Sequence, residues 1–386
     1  MGNPQAYDAL IIGAGPAGST AAYILASKGY RVLILDKKKF PRNKPCGGLL
    51  TWKTIKLLKA IFGAELLCLK STGVIQYQSR RYLVASKQGN LVRGELDFPF
   101  HLVERKVYDQ FWLNKAQDAG AEVRLGEKVA AIDPKAFKLT TRGGEFYGRF
   151  ILGADGIASR VRATLIKNGL IKNANRWPNG LAAALEAFIP RRDDYSFTDY
   201  PIIYFGYIPW GYAWSFPGND HQIIGMCGLS VKSGKQLRAC FDEFLGAQKI
   251  PQDATLSLRH HPLPYGNYLD QPGQANILLL GDACGLADPL LGEGIYYAHK
   301  SAQLAAQAVM QSQSNPVSAL ENYRNSLHRS LIVELKFARI SRFLIYTFLR
   351  PWNYKGLGLI LRGMQKKIEE TIQGQRSFKG LRRIAN

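Results

Sequence analysis

Tyr7-Asp8-Ala9-Leu10-Ile11-Ile12-Gly13-Ala14-Gly15-Pro16-Ala17-Gly18 decides the fold. Tyr7 to Ile12 reads as a short buried strand and Ala17 to Lys28 as a helix of small residues, with a G-x-G-x-x-G turn between them. Arg31 to Leu35 is a second apolar strand ending in Asp36, so the segment is a βαβ unit that opens a parallel sheet. In such a turn the first glycine permits the bend and the second lets the backbone approach a pyrophosphate. The third lets helix and strand pack closely. The helix start adds unpaired N–H groups and a positive dipole end, and Asp36 stands where a carboxylate binds a ribose hydroxyl. Gly13, Gly15, Pro16, Ala17, Gly18 and Asp36 are therefore expected to hold a dinucleotide.

Beyond this unit the periodicity changes several times. Gly73 to Val92 alternates as strands, Arg105 to Ala119 is helical, and Phe150 to Gly153 is again a buried strand. Leu181 to Pro264 is rich in aromatics and strands. Asn276 to Leu280 is a fully apolar strand, followed by a glycine-rich turn and an Ala-rich helix to about Gln311. From Val317 onward the pattern is helical. The sheet segments interleave, so the fold is α/β and the cofactor lobe is discontinuous in sequence.

The bulk composition narrows the function. A chain of 386 residues suffices for two or three interlocked lobes, and 46% hydrophobic with 21% charged residues is ordinary for a globular protein. The net charge of +22 is not ordinary, and draws nucleic acid, anionic membrane or phosphorylated substrates. No recognition motif accompanies the charge, so nucleic acid is not an expected partner. Five widely spaced cysteines without a C-x-x-C pair point to a reduced interior rather than a disulfide framework, and no metal site is expected. No signal peptide is expected, because the apolar stretch from Ala9 to Ile12 is too short for one, and no window reaches the roughly 18 uninterrupted apolar residues of a membrane span. The expected location is cytoplasmic, with contact to a membrane surface the open addition.

Three further segments resemble flavoproteins built like p-hydroxybenzoate hydroxylase. Arg105-Lys106-Val107-Tyr108-Asp109 is similar to their R-x-x-x-D element, and Gly153-Ala154-Asp155-Gly156 with Ser159 and Arg162 to their D-G element. Leu280-Gly281-Asp282-Ala283-Cys284-Gly285, with Asp288-Pro289 and Gly292-Glu293-Gly294, is similar to their G-D element. The resemblance implies FAD as cofactor. Asp282 would accept hydrogen bonds from the ribityl chain, and the helix start at Gly292 to Ile295 would face the anionic edge of the reduced ring. Arg105 would sit over the FAD chain and Asp155 hold a sealing turn. Lys37, Cys46, Gly47, Val129, Ala154, Gly156, Gly281, Pro289, Gly294 and Ile295 complete the implied cofactor set.

Two segments resemble the geranylgeranyl reductase family. Tyr212-Ala213-Trp214-Ser215-Phe216-Pro217 is similar to its Y-x-W-x-F-P signature and Lys44-Pro45-Cys46-Gly47-Gly48 to its K-x-C-G element. The family usually continues with G-x-G, whereas this chain reads Gly225-Met226-Cys227-Gly228. The resemblance covers Tyr7 to about Gln311 and implies reduction of isoprenoid double bonds: hydride from N5 of reduced FAD to one alkene carbon and a proton to the other. Strand alternation puts Tyr212, Trp214 and Phe216 on one face, a wall for an apolar tail, and Tyr204 with Phe205, Tyr207 and Trp210 is expected to extend it. Cys46, Tyr212 and Trp214 are expected at the reacting carbons. Cys46 and Tyr212 are the candidate proton donors, and Cys46 can equally gate the site or do neither. No second G-x-G-x-x-G is found, so NAD(P)H docking transiently, or another reductant such as ferredoxin, is the expected electron donor.

The expected architecture is a Rossmann-like FAD-binding domain with a parallel sheet (1–72, 101–168 and 272–316). It is interleaved with an antiparallel-sheet substrate domain (73–100 and 169–271) and followed by a C-terminal helical, basic region (317–386). That region carries Arg324, Arg329, Lys336, Arg339, Arg342, Arg350, Lys355, Arg362, Lys366, Lys367, Arg376, Lys379, Arg382 and Arg383. Phe337, Phe343, Leu344, Tyr346, Phe348, Leu349, Trp352 and Leu361 are interleaved with them. The pattern suits either an amphipathic surface anchor or a helical lid packed inward. Two other readings remain open at this level. One is a monooxygenase or halogenase on the same scaffold, although Tyr212 and Phe216 stand where halogenases have W and I in W-x-W-x-I-P. The other is a non-catalytic prenyl-lipid carrier that keeps FAD structurally.

Overall fold

A computed structural model describes residues 6–171, 177, 179–191, 197–233, 236–250, 258–312, 318–350 and 354–379. Trp352, Arg382 and Arg383 lie outside these. The N-terminal unit is β1 (Tyr7–Ile12), α1 (Pro16–Ala26) and β2 (Val32–Asp36). Next come β3 (Leu49–Leu50), α2 (Trp52–Phe62), α3 (Leu66–Ser71), β4 (Tyr77–Ser86), β5 (Gly89–Leu102), α4 (Arg105–Asp118) and β6 (Glu122–Leu125). The hairpin strands β7 (Ala131–Asp133) and β8 (Lys138–Thr141) lead into β9 (Gly144–Gly153) and α5 (Arg160–Lys167).

The first sheet runs β15 (Gly273–Gln274), β16 (Ile277–Leu279), β9, β1, β2, β6, and every pair from β16 to β6 is parallel. Its central strands are apolar along their length because helices cover both faces of a parallel sheet. α8 (Ile295–Gln311) packs on α1, and small residues allow the approach. A buried His299 fastens the contact: Nδ1 lies 2.6 Å from Thr20 Oγ1 and Nε2 2.8 Å from the Tyr108 hydroxyl on α4. Burial pushes its pKa down to about 3, so the ring is a neutral structural link.

The second sheet adds β10 (Leu181–Pro190), β11 (Ile202–Phe205), β12 (Gly211–Pro217), β13 (His221–Leu229) and β14 (Arg259–Pro264), in the order β14-β10-β13-β12-β11-β4-β5-β3. All its pairs are antiparallel except β11 with β4. One face is covered by α6 (Ser230–Ser233) and α7 (Leu237–Ala247), whose Phe241 and Phe244 are fully buried. The other face looks across an open space to the parallel lobe. Leu49–Leu50 and the end of β5 at Leu102 carry this sheet into segments that flank the cofactor lobe.

At the C-terminus, α9 (Ser318–Leu327) and α10 (Val333–Leu344) are joined and continued by π-helical turns at His328–Ile332 and Ile345–Leu349. α11 (Lys355–Gly363) and α12 (Gln365–Ile372) follow. Among the described residues no helix is long and apolar enough to cross a membrane. Arg342, read from sequence as one of the surface cations, is instead buried: its guanidinium stacks 4.4 Å from the Tyr265 ring and donates to the Tyr265 carbonyl. The arginine pins α10 to the loop after β14.

Candidate active site

The glycine turn is built as its spacing requires. A Cβ on Gly18 would stand 1.8 Å from the Gly13 carbonyl oxygen, and one on Gly13 (φ +103) 2.3 Å from the Ala154 oxygen. These two glycines let the helix, β1 and the Asp155 turn close on one another. Gly15 differs, because a Cβ there would meet only the Arg42 guanidinium, at 3.3 Å, on the open side. Gly15 is also the N-cap of α1, with no side-chain cap and no acidic residue in the first turn. That leaves the helix N–H groups and dipole free for an anion. Asp36 accepts the Ala14 and Lys38 N–H groups, each at 2.8 Å, and lines the cavity with acceptor capacity to spare.

One cavity of about 1250 Å³ begins at this turn. Of the expected cofactor residues, Gly13, Gly15, Pro16, Ala17, Asp36, Lys37, Cys46, Gly47, Arg105, Val129, Ala154, Asp155, Gly156, Asp282, Gly292, Gly294 and Ile295 line it. Gly18, Gly281 and Pro289 do not line it. Gly281 (φ +53) is a packing glycine, with Ala298 and Ala17 at 3.4 and 3.5 Å from its Cβ position. Pro289 packs beside Gly266.

Arg105 is buried in a bidentate pair with Asp109, at 2.7 and 2.8 Å, and Arg42 reaches the same carboxylate at 3.1 Å. Burial alone would lower the Arg105 pKa, but Asp109 more than offsets this and raises it. Asp155 accepts the Arg160 N–H at 2.6 Å at the start of α5, whose N-cap is Ser159. Asp282 pairs with Lys44 at 3.4 Å. The turn before α8 is tied by Asp288, whose Oδ1 accepts the Leu290 and Leu291 N–H groups at 2.7 and 2.8 Å. That turn places Gly292 (φ +69) so closely under Tyr212 that a Cβ would lie 2.9 Å from the phenol oxygen. Gly294 begins α8 without a side-chain cap, the same free helix start as at Gly15.

The second sheet supplies the opposite wall. Cross-strand register sets Tyr212 opposite Cys227 and Phe205, and Trp214 opposite Gly225 and Ile203. A Cβ on Gly225 would sit 2.1 Å from the Trp214 ring, so the glycine is the floor on which the indole lies. Cys227, which stands where the family usually has the second glycine, lines the cavity beside Tyr212, and burial pushes its thiol up to about 12. The Tyr212 hydroxyl donates to the Leu291 carbonyl, joining the wall to the turn before α8. Trp214 Nε1 is buried and donates to nothing among the described residues, an orphan donor on a wall facing the glycine turns. Free helix starts at Gly15 and Gly294, Asp36, and this orphan donor all fit a flavin dinucleotide spanning the two sheets.

The structure separates Tyr204 from this group. Its side chain points to the other face, against Phe244 and Tyr207, and its hydroxyl donates to Gln248 at 3.0 Å. The reason is parity: Ile203 and Phe205 alternate with it and line the cavity instead. Tyr207 belongs to the same far core, and Trp210 stacks on Tyr346 outside the lining. Sequence reading missed Glu186, Arg259 and His261, which also line the cavity. It also missed the cavity's far end, formed by Leu344, Ile345, Phe348, Leu349, Leu357, Ile360 and Leu361 of the C-terminal helices. The lid alternative had placed the aromatics of these helices inward but gave no sign of a ligand behind them.

The FAD binding domain family matches residues 6–175, which with this site makes the chain an FAD-dependent oxidoreductase. Among curated relatives, geranylgeranyl diphosphate reductase of Rhodobacter capsulatus is 31% identical over 79% of this chain and 75% of its own. Digeranylgeranylglycerophospholipid reductase of Methanosarcina mazei is 27% identical over 80% and 76%. A solved structure, a geranylgeranyl bacteriochlorophyll reductase-like protein of Thermoplasma acidophilum, shares the fold with a TM-score of 0.79. It is 20% identical over 91% of this chain and 90% of that one. The chain belongs to the geranylgeranyl reductase family.

Proposed function

We propose that the protein saturates carbon–carbon double bonds of a geranylgeranyl-type isoprenoid chain. One observation carries this reading: a single cavity joins the dinucleotide turns to an apolar channel between the aromatic sheet face and the C-terminal helices. A cofactor alone needs no such extension, and about 300–1,000 Å³ is usual for a ligand pocket. The names of the relatives, which act on geranylgeranyl chains, agree with the shape. When bound, reduced FAD supplies the electron pair, and NAD(P)H or another reductant recharges it. The chain's own residues do the rest. Arg42 and the α1 start would hold the pyrophosphate, Asp36 the ribose and Asp282 the ribityl chain. Tyr212, Trp214, Phe216 and Phe205 exclude water and lay the alkene against the ring. Lipid extracts from cells lacking the gene should contain chains with more double bonds than those from cells carrying it, as read by mass spectrometry. Identical extracts would count against the reading.

The same helices give the substrate its route. Ile340, Phe343, Leu344, Phe348, Leu359 and Ile360 are exposed, and Leu344, Phe348 and Ile360 also line the cavity, so its mouth opens in an apolar patch. Lys336, Arg339, Arg350, Lys355 and Arg362 are exposed on the same helices. Basic residues contribute roughly 1 kcal/mol each beside anionic lipid. This face therefore rests on an anionic bilayer and draws the prenyl tail from it. The protein is expected to float with phosphatidylserine vesicles at low salt and to stop doing so as Phe343→Asp/Phe348→Asp. A wild-type protein that sediments alone would remove the membrane from this account.

A further inference from the structure

Glu186 is the one carboxylate that the second sheet presents to the cavity among the described residues. It sits in the middle of β10, in the otherwise uncharged run Leu181–Pro190, and is 3% exposed. Register places it in a row with Arg259 on β14 and Gly225 on β13, and the next residue along that row is Trp214. Because the indole lies across the space a Gly225 side chain would fill, it leans toward Glu186.

The carboxyl also touches the loop of the K-x-C-G element. Its Oε1 accepts the Cys46 N–H at 2.9 Å, and no further hydrogen bond to it is made by the described residues. The adjoining Gly47 lies against the wall, its Cβ position 2.8 Å from the Phe216 ring and 3.3 Å from Trp214 Nε1. Glu186 thus stands where the loop, the aromatic wall and the cavity meet. Trp214 and Phe216 are the residues that hold the alkene in the reading above.

The charged neighbours do not neutralise it. Arg259 on β14 and Arg105 on α4 both pull its pKa down, as does the Cys46 amide, yet neither arginine is in ion-pair contact with it. Burial outweighs them and pushes the carboxyl up to about 7. His261, two residues along β14 from Arg259, is held down to about 4 by burial and by Lys44, so it stays neutral where Glu186 titrates. Two other groups with a proton to give are in reach, Tyr212 and Cys46. Tyr212 spends its proton on the Leu291 carbonyl, and burial raises its pKa well above that of a free phenol. The Cys46 sulfur accepts the Gly48 N–H at 3.4 Å on the side toward Arg105.

We propose that Glu186 is the acid of the reaction, with the Cys46 amide as the contact that aims it. The inference rests on the reductase reading. One alkene carbon takes the electron pair and hydrogen from reduced flavin, which is thereby oxidised. The other carbon takes the proton of the Glu186 carboxyl as the π bond breaks. The carboxylate left behind regains a proton from solvent before the next turnover. An unpolarised alkene needs such an acid at hand, and a carboxyl with a pKa near the working pH serves best.

The test uses holoenzyme reduced by dithionite and mixed without oxygen with geranylgeranyl diphosphate, following the return of flavin absorbance. Glu186→Gln is expected to slow that return by at least about a hundredfold, while FAD binding and reduction by dithionite stay as in wild type. The wild-type rate falls as pH rises through about 7. The Glu186→Gln profile is flat there, and Glu186→Asp retains part of the rate and the pH dependence. A second readout needs no turnover: the infrared carbonyl band of a protonated carboxyl is present in wild type at pH 6 and missing from Glu186→Gln. Should Glu186→Gln fail to fold, the folded Glu186→Asp variant carries the test. Wild-type speed in either variant, or an unmoved pH profile or an unchanged infrared band in Glu186→Gln, overturns the proposal. A wild-type enzyme that never saturates the chain overturns the reductase reading instead.

Discussion

Gly15→Val is expected to purify as a folded, colourless protein whose affinity for FAD has fallen at least about a hundredfold, or about 3 kcal/mol. The three glycines of the turn are not equivalent. A side chain on Gly18 drives into the Gly13 carbonyl at 1.8 Å, and one on Gly13 into backbone at 2.3 Å with φ already at +103. Changes there break the packing of α1 on β1 before any ligand is involved. At Gly15 the backbone has φ −73 and ψ −175, which valine adopts readily, and the only atom near the new Cβ is the mobile end of Arg42. The fold therefore survives while valine fills the space the pyrophosphate needs. Circular dichroism with fluorescence titration of FAD separates the cases: Gly15→Val keeps its spectrum and loses the cofactor, whereas Gly18→Ala loses both. A yellow Gly15→Val protein with wild-type affinity would place the pyrophosphate elsewhere.

Asp109→Ala should cost about 3–5 kcal/mol of stability, the usual range for stranding buried charge. Asp109 is fully buried and anchors two guanidinium groups, Arg105 through two hydrogen bonds and Arg42 through a third contact. Removing it leaves Arg105, 6% exposed, facing Arg42 across an empty site. Asp109→Asn keeps the shape but not the charge and should lose nearly as much. Arg105→Met with Asp109→Leu removes both charges and should recover much of the loss, since apolar replacements of a buried pair are often neutral. Urea unfolding of the apoprotein reads these differences. A loss below about 1 kcal/mol for Asp109→Ala would mean the arginines reach water through the cavity and behave as a surface pair.

How far the sequence foretold the molecule depends on the range of the signal. The βαβ unit was legible because β1, the glycine turn and Asp36 are contiguous, and each carries its own local constraint. The segments near Arg105, Asp155 and Asp282 were legible by their likeness to known elements, and all three lie on the cavity. Tyr204 was misplaced by one residue: an aromatic-rich strand advertises bulk, but only the register with β12 tells which parity faces inward. Residues 52–71 form α2 and α3, which the sequence reading passed over, although Gly63 in a left-handed cap marks the end of α2. Glu186 gave no signal at all, because a lone carboxylate in an alanine-rich strand has no spacing to read. The C-terminal helices posed a choice between anchor and lid that amphipathicity could not make. In space Tyr346 and Leu357 are buried while Phe343 and Leu359 are exposed, so one set of helices walls the channel and presents an apolar surface.

The central claim is that reduced flavin and an isoprenoid double bond meet in this cavity. Its most direct measurement mixes reduced holoenzyme with geranylgeranyl diphosphate in the strict absence of oxygen, with the product examined by mass spectrometry. The account predicts that the yellow flavin returns without air and that each turnover adds two hydrogens to the chain. Flavin that stays bleached until air enters, with a product that has gained oxygen, would contradict it.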